Sequence, residues 1–145
     1  GAFAQYVGRA LSRRTKDVIV ENGGDIYLRS TRQRRVGIFA GKSPLSNRLA
    51  LEIRPEHTPL AICTSSGTVG PSLSFGRADA AVVLSPSAPL ADAVATAAGN
   101  MVQEREEVQK AAEFALSIKG ITGAVIIKAD RLAACGELKL VPLVT

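Results

Sequence analysis

The segment Ala80-Ala81-Val82-Val83-Leu84 constrains this chain most. Five apolar residues follow one another with no polar alternation. A half-exposed strand alternates, so a continuous run of this kind reads as a central strand. Other short runs surround it. Val18–Val20 and Ile26–Leu28 flank the turn signal Asn22-Gly23-Gly24-Asp25 and read as a strand and its return. Arg35–Ala40 is a further strand that ends in a Gly41/Pro44 loop. Leu49–Ile53 alternates, as a half-exposed strand does. Leu60–Cys63 leads into the polar run Thr64-Ser65-Ser66-Gly67-Thr68. Ala124–Lys128 and Glu137–Val141 are expected to close the chain as a hairpin, with Asp130-Arg131 in the turn region.

Helices are grouped at the start and in the late middle. Residues 2–14 read as helical, with Phe3, Tyr6, Val7, Ala10 and Leu11 recurring at helical spacing and a basic cluster at the end where cations suit the dipole. Ser87 can cap a second helix running to about Met101, with Pro89 in its first turn and Leu90, Val94, Ala97, Ala98 and Met101 as its apolar stripe. A third, over about 104–117, turns Val108, Ala111, Ala112 and Ala115 inward and is broken by Gly120 and Gly123. Strands in runs, with helices set apart from them, predict an α+β fold: a largely antiparallel sheet with helices packed on it.

The 145 residues fit one domain, which can bury roughly 70% of its unfolded surface. At 46% hydrophobic and 21% charged, wholesale disorder is excluded. With 4% aromatics and no Trp, the core must come from Val, Ile, Leu and Ala. No apolar run approaches the roughly 20 residues of a membrane helix, so no membrane partner is expected. Cys63 and Cys135 form no C-x-x-C and His57 is the sole histidine, which argues against zinc and for two buried free thiols. No secretory signal is visible, so a cytoplasmic location is expected. The chain starts at Gly1 rather than Met, and an N-terminal portion is expected to be missing.

Three stretches can carry chemistry. Gly23 and Gly24, followed by Asp25, let backbone approach a ligand and expose N–H groups to an anion. Taken alone, this is also an ordinary hairpin turn. Thr64, Ser65, Ser66 and Gly67 at a strand end supply hydroxyls and N–H groups that could hold phosphate oxygens or a heterocycle edge, although no Walker loop is present. Taken alone, this is a polar loop. Asp92 and Thr96 stand at i and i+4 on one helical face and offer hard oxygens suited to Mg²⁺ or Ca²⁺. Taken alone, both simply face solvent. His57 reads as an exposed loop residue, and the Glu104, Glu106, Glu107 and Glu113 cluster as a solvated helix face, with Glu106–Lys110 as an i,i+4 pair.

These stretches, in this order, resemble the ApbE family of FAD:protein FMN transferases, once linked to thiamine biosynthesis. The chain looks closer still to an uncharacterised ApbE-related branch with V-E-N-G-G-D-I, C-T-S-S-G-T-V-G and S-F-G-R-A-D-A, here Val20–Ile26, Cys63–Gly70 and Ser74–Ala80. The family's A-D-A-x-[AS]-T-A helix resembles Ala91–Ala97, and its G-G-I-A-K helix start resembles Gly1–Gln5, with Gln5 at the Lys position. The family's H-x-I-D-P-x-T-G signature has no counterpart in Gly70–Arg77. The resemblance implies an ApbE-like, T-fold-like domain over 1–145. It implies Asp92 and Thr96 as Mg²⁺ ligands, with a backbone carbonyl from the first helix's start. Gly23, Gly24, Asp25, Thr64, Ser65, Ser66 and Gly67 would then line an FAD or FMN site.

The formal charge of +5 gathers in Arg9, Arg13, Arg14 and Lys16 and in Arg29, Arg32, Arg34 and Arg35. Lying around the glycine turn, it favours an anionic cofactor over nucleic acid. Three functions follow. The first is an ApbE-like protein that binds a flavin or other nucleotide with Mg²⁺ and transfers FMN to an acceptor protein. The second is a non-catalytic, homo-oligomeric scaffold of the same fold. The third, and weakest, is nucleic-acid binding through Arg32, Arg34 and Arg35.

Overall fold

A computed structural model describes residues 1–67 and 78–143. The Gly70–Arg77 region and the parts of Cys63–Gly70 and Ser74–Ala80 that fall within 68–77 lie outside the described residues. Helix α1 spans Ala2–Ser12. Strands β1 (Val18–Asn22), β2 (Asp25–Arg29), β3 (Arg34–Gly37), β4 (Leu49–Ile53), β5 (Leu60–Ser65) and β6 (Ala80–Ser85) follow. Helices α2 (Ala88–Met101) and α3 (Val108–Ser117) precede β7 (Gly123–Lys128), β8 (Arg131–Gly136) and β9 (Leu140–Pro142). Six strands form one sheet in the order β1-β2-β5-β6-β7-β8, and β3-β4-β9 form a second. Every pairing among the described residues is antiparallel.

The large sheet is covered on both faces. Tyr27, Ala61, Cys63, Ala81, Val83, Ala124 and Ile126 pack under the helices, against Ala4, Val94, Ala95, Ala98, Ala111 and Ala115. Their strand neighbours Leu28, Ile62, Val82, Leu84, Val125 and Ile127 pack on the other side, against Ile38, Leu51 and Ile53 of the small sheet and its loop. Successive strand residues point to opposite faces, so a strand between two covering layers must be apolar throughout. All six residues of β6 are accordingly buried.

The caps of α2 follow local rules. Ser87 Oγ accepts from Leu90 N at 3.4 Å, and Pro89 occupies the first turn. The buried face of α2 is Ala88, Ala91, Val94, Ala95, Ala98 and Gly99, rotated from the expected stripe; Leu90 and Met101 only border the core. Small residues on that face let the helix lie close, and a Cβ on Gly99 would stand 3.4 Å from that of Ala81. The expected 104–117 helix divides into a short 3₁₀ turn, Arg105–Glu107, and α3. Glu106 pairs with Arg105 at 3.3 Å.

Residues 2–12 are helical as expected, but the large apolar residues of α1 do not face the core: Phe3, Tyr6 and Leu11 are 63%, 77% and 46% exposed. The helix instead buries Ala4, Gln5 and Gly8. Space decides this, because the Tyr27 ring lies under Gly8, where an added Cβ would come within 2.2 Å of Tyr27 Cδ1. The closing hairpin is also different. β7 pairs with Arg131–Gly136, whereas Leu140–Pro142 crosses to pair with β4 in the other sheet. The β7–β8 turn places Ala129 at φ 53°. Its N–H donates to Asp79 Oδ2 at 2.8 Å and its carbonyl accepts from Ser43 Oγ.

The loop after β2 is held by Asp17. Its carboxylate accepts from Thr31 N and Thr31 Oγ1, each at 2.8 Å, and from Ser30 Oγ at 2.9 Å, with Arg34 at 3.6 Å. The backbone N–H of Thr31, then the two hydroxyls, hold the Asp17 carboxyl down at about 2. Cys63 is buried and Cys135 half-buried, and neither is in a disulfide. No helix among the described residues is long and apolar enough to cross a membrane.

Two outcomes are expected. Gly8→Ala lowers stability by about 1–3 kcal/mol, because the tight Gly8–Tyr27 contact must open; thermal unfolding of the variant measures it. Asp17 is more acidic in the folded chain than unfolded, so its stabilisation is complete above the ordinary carboxylate range and is lost as pH falls towards 2. In acid titrations followed by circular dichroism, Asp17→Asn therefore loses part of the wild-type's decline in stability below pH of about 4.

Candidate functional site

The β1–β2 turn organises the site. Gly23 takes φ 63°, a left-handed conformation that glycine adopts without a Cβ penalty. Gly24 lies directly over β5: its carbonyl accepts from Thr64 N at 2.9 Å, and an added Cβ would stand 2.7 Å from Thr64 O. The sequence N-G-G-D therefore makes a turn that lies flat against the end of β5, where Thr64, Ser65 and Ser66 follow the apolar Leu60–Cys63.

A groove of about 550 Å³ opens there, between the two sheets. Gly23, Gly24, Thr64, Ser65 and Ser66 form its polar end, and Ile26, Ile62 and Val82 of the large sheet form one wall. Val36, Ile38, Phe39 and Leu51 form the other, and Glu21 sits at the edge. Phe39 is 56% exposed. A groove with an apolar body and a few convergent polar groups is the usual architecture of a small-molecule site. Gly67 does not line it; its N–H donates to Ala78 O at 3.0 Å.

Asp25 turns to the other face of β2, toward the helices. There its carboxylate accepts from the Gly1 nitrogen, which also lies 3.3 Å from Asp92 Oδ2. Two carboxylates from distant parts of the chain thus reach one donor at the start of α1. The helix starts press together at this point: a Cβ on Gly1 would meet Ala88 O at 2.7 Å. Gln5, at the position where the ApbE pattern has Lys, uses its side-chain oxygen to accept from Ala88 N and so caps α2. Thr96 lies one turn beyond Asp92 on the exposed face, its hydroxyl donating to Asp92 O at 3.2 Å.

Cys63 closes this corner from below. Its Sγ donates to Ala88 O at 3.5 Å. Burial, reinforced by the nearby Asp25 carboxylate, pushes the thiol far above its usual range. It is a packing residue, since a thiol held protonated is a poor nucleophile.

The expected site residues therefore fall into two adjoining groups. The glycines and Thr64–Ser66 meet at the groove between the sheets, and Asp25 and Asp92 meet beside the helix starts with Thr96 one turn away. Asp25 links them, being next in the chain to Gly24. Among the described residues, no group of three or more His, Cys, Asp and Glu is arranged to hold a metal ion. The groove wall from Val36 to Phe39 was not legible as part of a site. Only the packing of the small sheet brings it opposite Ile62 and Val82, and no motif marks it. Of the arginines considered for nucleic acid, Arg34 is bound to Asp17 and Ser30 and Arg35 lies 3.7 Å from Glu52.

Known proteins resemble the chain at two levels. A UPF0280 protein of Methanocella arvoryzae is 49% identical over 123 residues, covering 85% of this chain and 50% of its own length. One from Methanothrix thermoacetophila is 43% identical over 139 residues, covering 95% and 58%. The chain thus spans about half the length of these curated relatives. Among solved structures, the apo form of the flavinyl transferase ApbE of Pseudomonas stutzeri superposes with a TM-score of 0.57 at 16% identity, over 92% of this chain and 46% of that one. That likeness shows a shared α+β fold. The family model described as AbpE bacteria matches residues 1–134, and the chain belongs to that family.

Proposed function

We propose that this chain binds a flavin nucleotide in the groove between its sheets, with Mg²⁺ held at Asp92 and Thr96. The observation that carries the reading is the convergence of Gly23, Gly24 and Thr64–Ser66 on one groove of about 550 Å³. The apolar walls suit a flat ring system, and the glycine backbone and hydroxyls suit the polar edge of a heterocycle or phosphate oxygens. Mg²⁺ takes few protein ligands and keeps water or phosphate for the rest, so the Asp92 carboxylate and Thr96 hydroxyl fit its chemistry. Asp25 adds a second carboxylate within reach of the same corner. That corner lies across the sheet from the groove, so Mg²⁺ bound there would offset the charge of a phosphate that extends past the β1–β2 turn. The name of the fold neighbour, a flavinyl transferase, supports FMN transfer to an acceptor protein as the activity of this site.

A second reading is a non-catalytic, oligomeric scaffold of the same fold. The exposed apolar stripe of α1 favours it.

The test is titration of the chain with FAD and with FMN, with and without MgCl₂, followed by flavin fluorescence. Binding strengthened by Mg²⁺ is expected. Asp92→Ala removes the Mg²⁺ effect, and Thr64→Val, which removes the hydroxyl that β5 turns to the groove beside Ile62, weakens binding by about five- to tenfold, as loss of one polar contact implies. Absence of flavin binding under all conditions overturns the reading in favour of the scaffold.

A further inference from the structure

Glu21 is the one ionisable residue among the described residues that line the groove between the sheets. Its place there is fixed by register. Glu21 pairs with Ile26 across β1 and β2, and Ile26 pairs with Ile62 across β2 and β5. Residues directly opposite one another share a face of the sheet. Ile26 and Ile62 pack on the side of the small sheet, so Glu21 stands on that side too.

The chain carries a formal charge of +5, yet the described lining of this groove holds a carboxylate and no Lys or Arg. Among the described residues, no hydrogen bond or ion pair engages that carboxylate. Ionised, it can only accept. Thr64, two residues beyond Ile62, turns its hydroxyl to the same groove. Strand β2 lies between β1 and β5, so Glu21 and the Thr64 side are about 10 Å apart, two strand spacings. A flat ring laid on Ile26 thus has an acceptor at one edge and hydroxyls toward the other. An N–H of the ring would meet Glu21 favourably, whereas a phosphate at that end would meet a like charge. The carboxylate therefore turns a phosphate-bearing chain toward Thr64 and the glycine turn.

We infer that Glu21 is a specificity-determining residue of the groove: it accepts from a ring N–H of the ligand and so sets which end of the ligand lies at β1. This role rests on the flavin reading of the groove. An oxidised flavin has such an N–H at N3, between the two carbonyls of its pyrimidine ring. A site built to hydrogen-bond an N–H discriminates against the analogue that lacks it.

Titration with riboflavin and with 3-methylriboflavin, which carries a methyl group in place of the N3 proton, tests it by flavin fluorescence. The wild type is expected to bind riboflavin about five- to tenfold tighter than the methyl analogue, as one hydrogen bond to an exposed carboxylate implies. Glu21→Ala binds the two alike. Glu21→Gln, whose side-chain oxygen still accepts, retains part of the preference. The ratio of the two affinities is the readout, and a general loosening of the groove does not imitate its loss. Both variants keep the wild-type melting profile, since the Glu21 carboxylate is exposed and has no partner among the described residues. Riboflavin binding with no preference in the wild type, or with a preference that survives in Glu21→Ala, overturns the inference and leaves the flavin reading standing. Absence of binding by riboflavin, FMN and FAD alike overturns both.

Discussion

The structure depends on the two-sided burial of its large sheet. Helices cover one face and a second, three-stranded sheet covers the other. Strands β5, β6 and β7 lie in the middle of the sandwich, and their apolar residues are removed from water on both sides. At roughly 25 cal/mol per Å² of apolar surface, this burial is the dominant favourable contribution to folding. The covering layers meet different demands. The helices reach the sheet through Ala and Gly, so they lie close. The small sheet reaches it through Leu and Ile, and where its coverage stops a groove remains.

The candidate site follows from that geometry. A groove between two sheets has apolar walls by construction, because its walls are the outer margins of a core. Polar character can enter only where strands end, and here it enters at the β1–β2 turn and at the end of β5. Gly24 contributes through the absence of a side chain, which lets one strand end lie on the other. Asp25 then directs its carboxylate to the opposite face of the sheet, where α1 and α2 begin. A single turn serves both the groove and the acidic corner. Gln5 and Cys63 hold that corner together, one by capping α2 and the other by packing beneath it.

Much of this was legible. The β1–β2 hairpin, the Ser87 cap, the exposed Asp92–Thr96 pair and the antiparallel α+β class all rest on interactions between near neighbours in the chain. Two elements were not. Strand β8, Arg-Leu-Ala-Ala-Cys-Gly, has few strand-favouring residues, and its turn has no Asn-Gly or Gly-Gly signal. Ala129 is held at positive φ by Asp79 and Ser43, which come from distant parts of the chain. The outward stripe of α1 shows the same dependence in reverse. Its periodicity was correctly read as helical, but periodicity cannot say which side of a helix faces in when a ring such as that of Tyr27 takes up the space.

Local signals along the chain were enough for most secondary elements, the central position of β6, and a family resemblance carried by three short motifs. These rest on periodicity, capping and turn chemistry, which act over a few residues. Packing between distant segments sets the rest: β9 joins the small sheet, α1 turns its aromatics outward, and Val36–Phe39 faces the glycine turn across a groove. Each of these depends on which surfaces fit together and how closely, and close packing is a property of the assembled layers that no single segment carries.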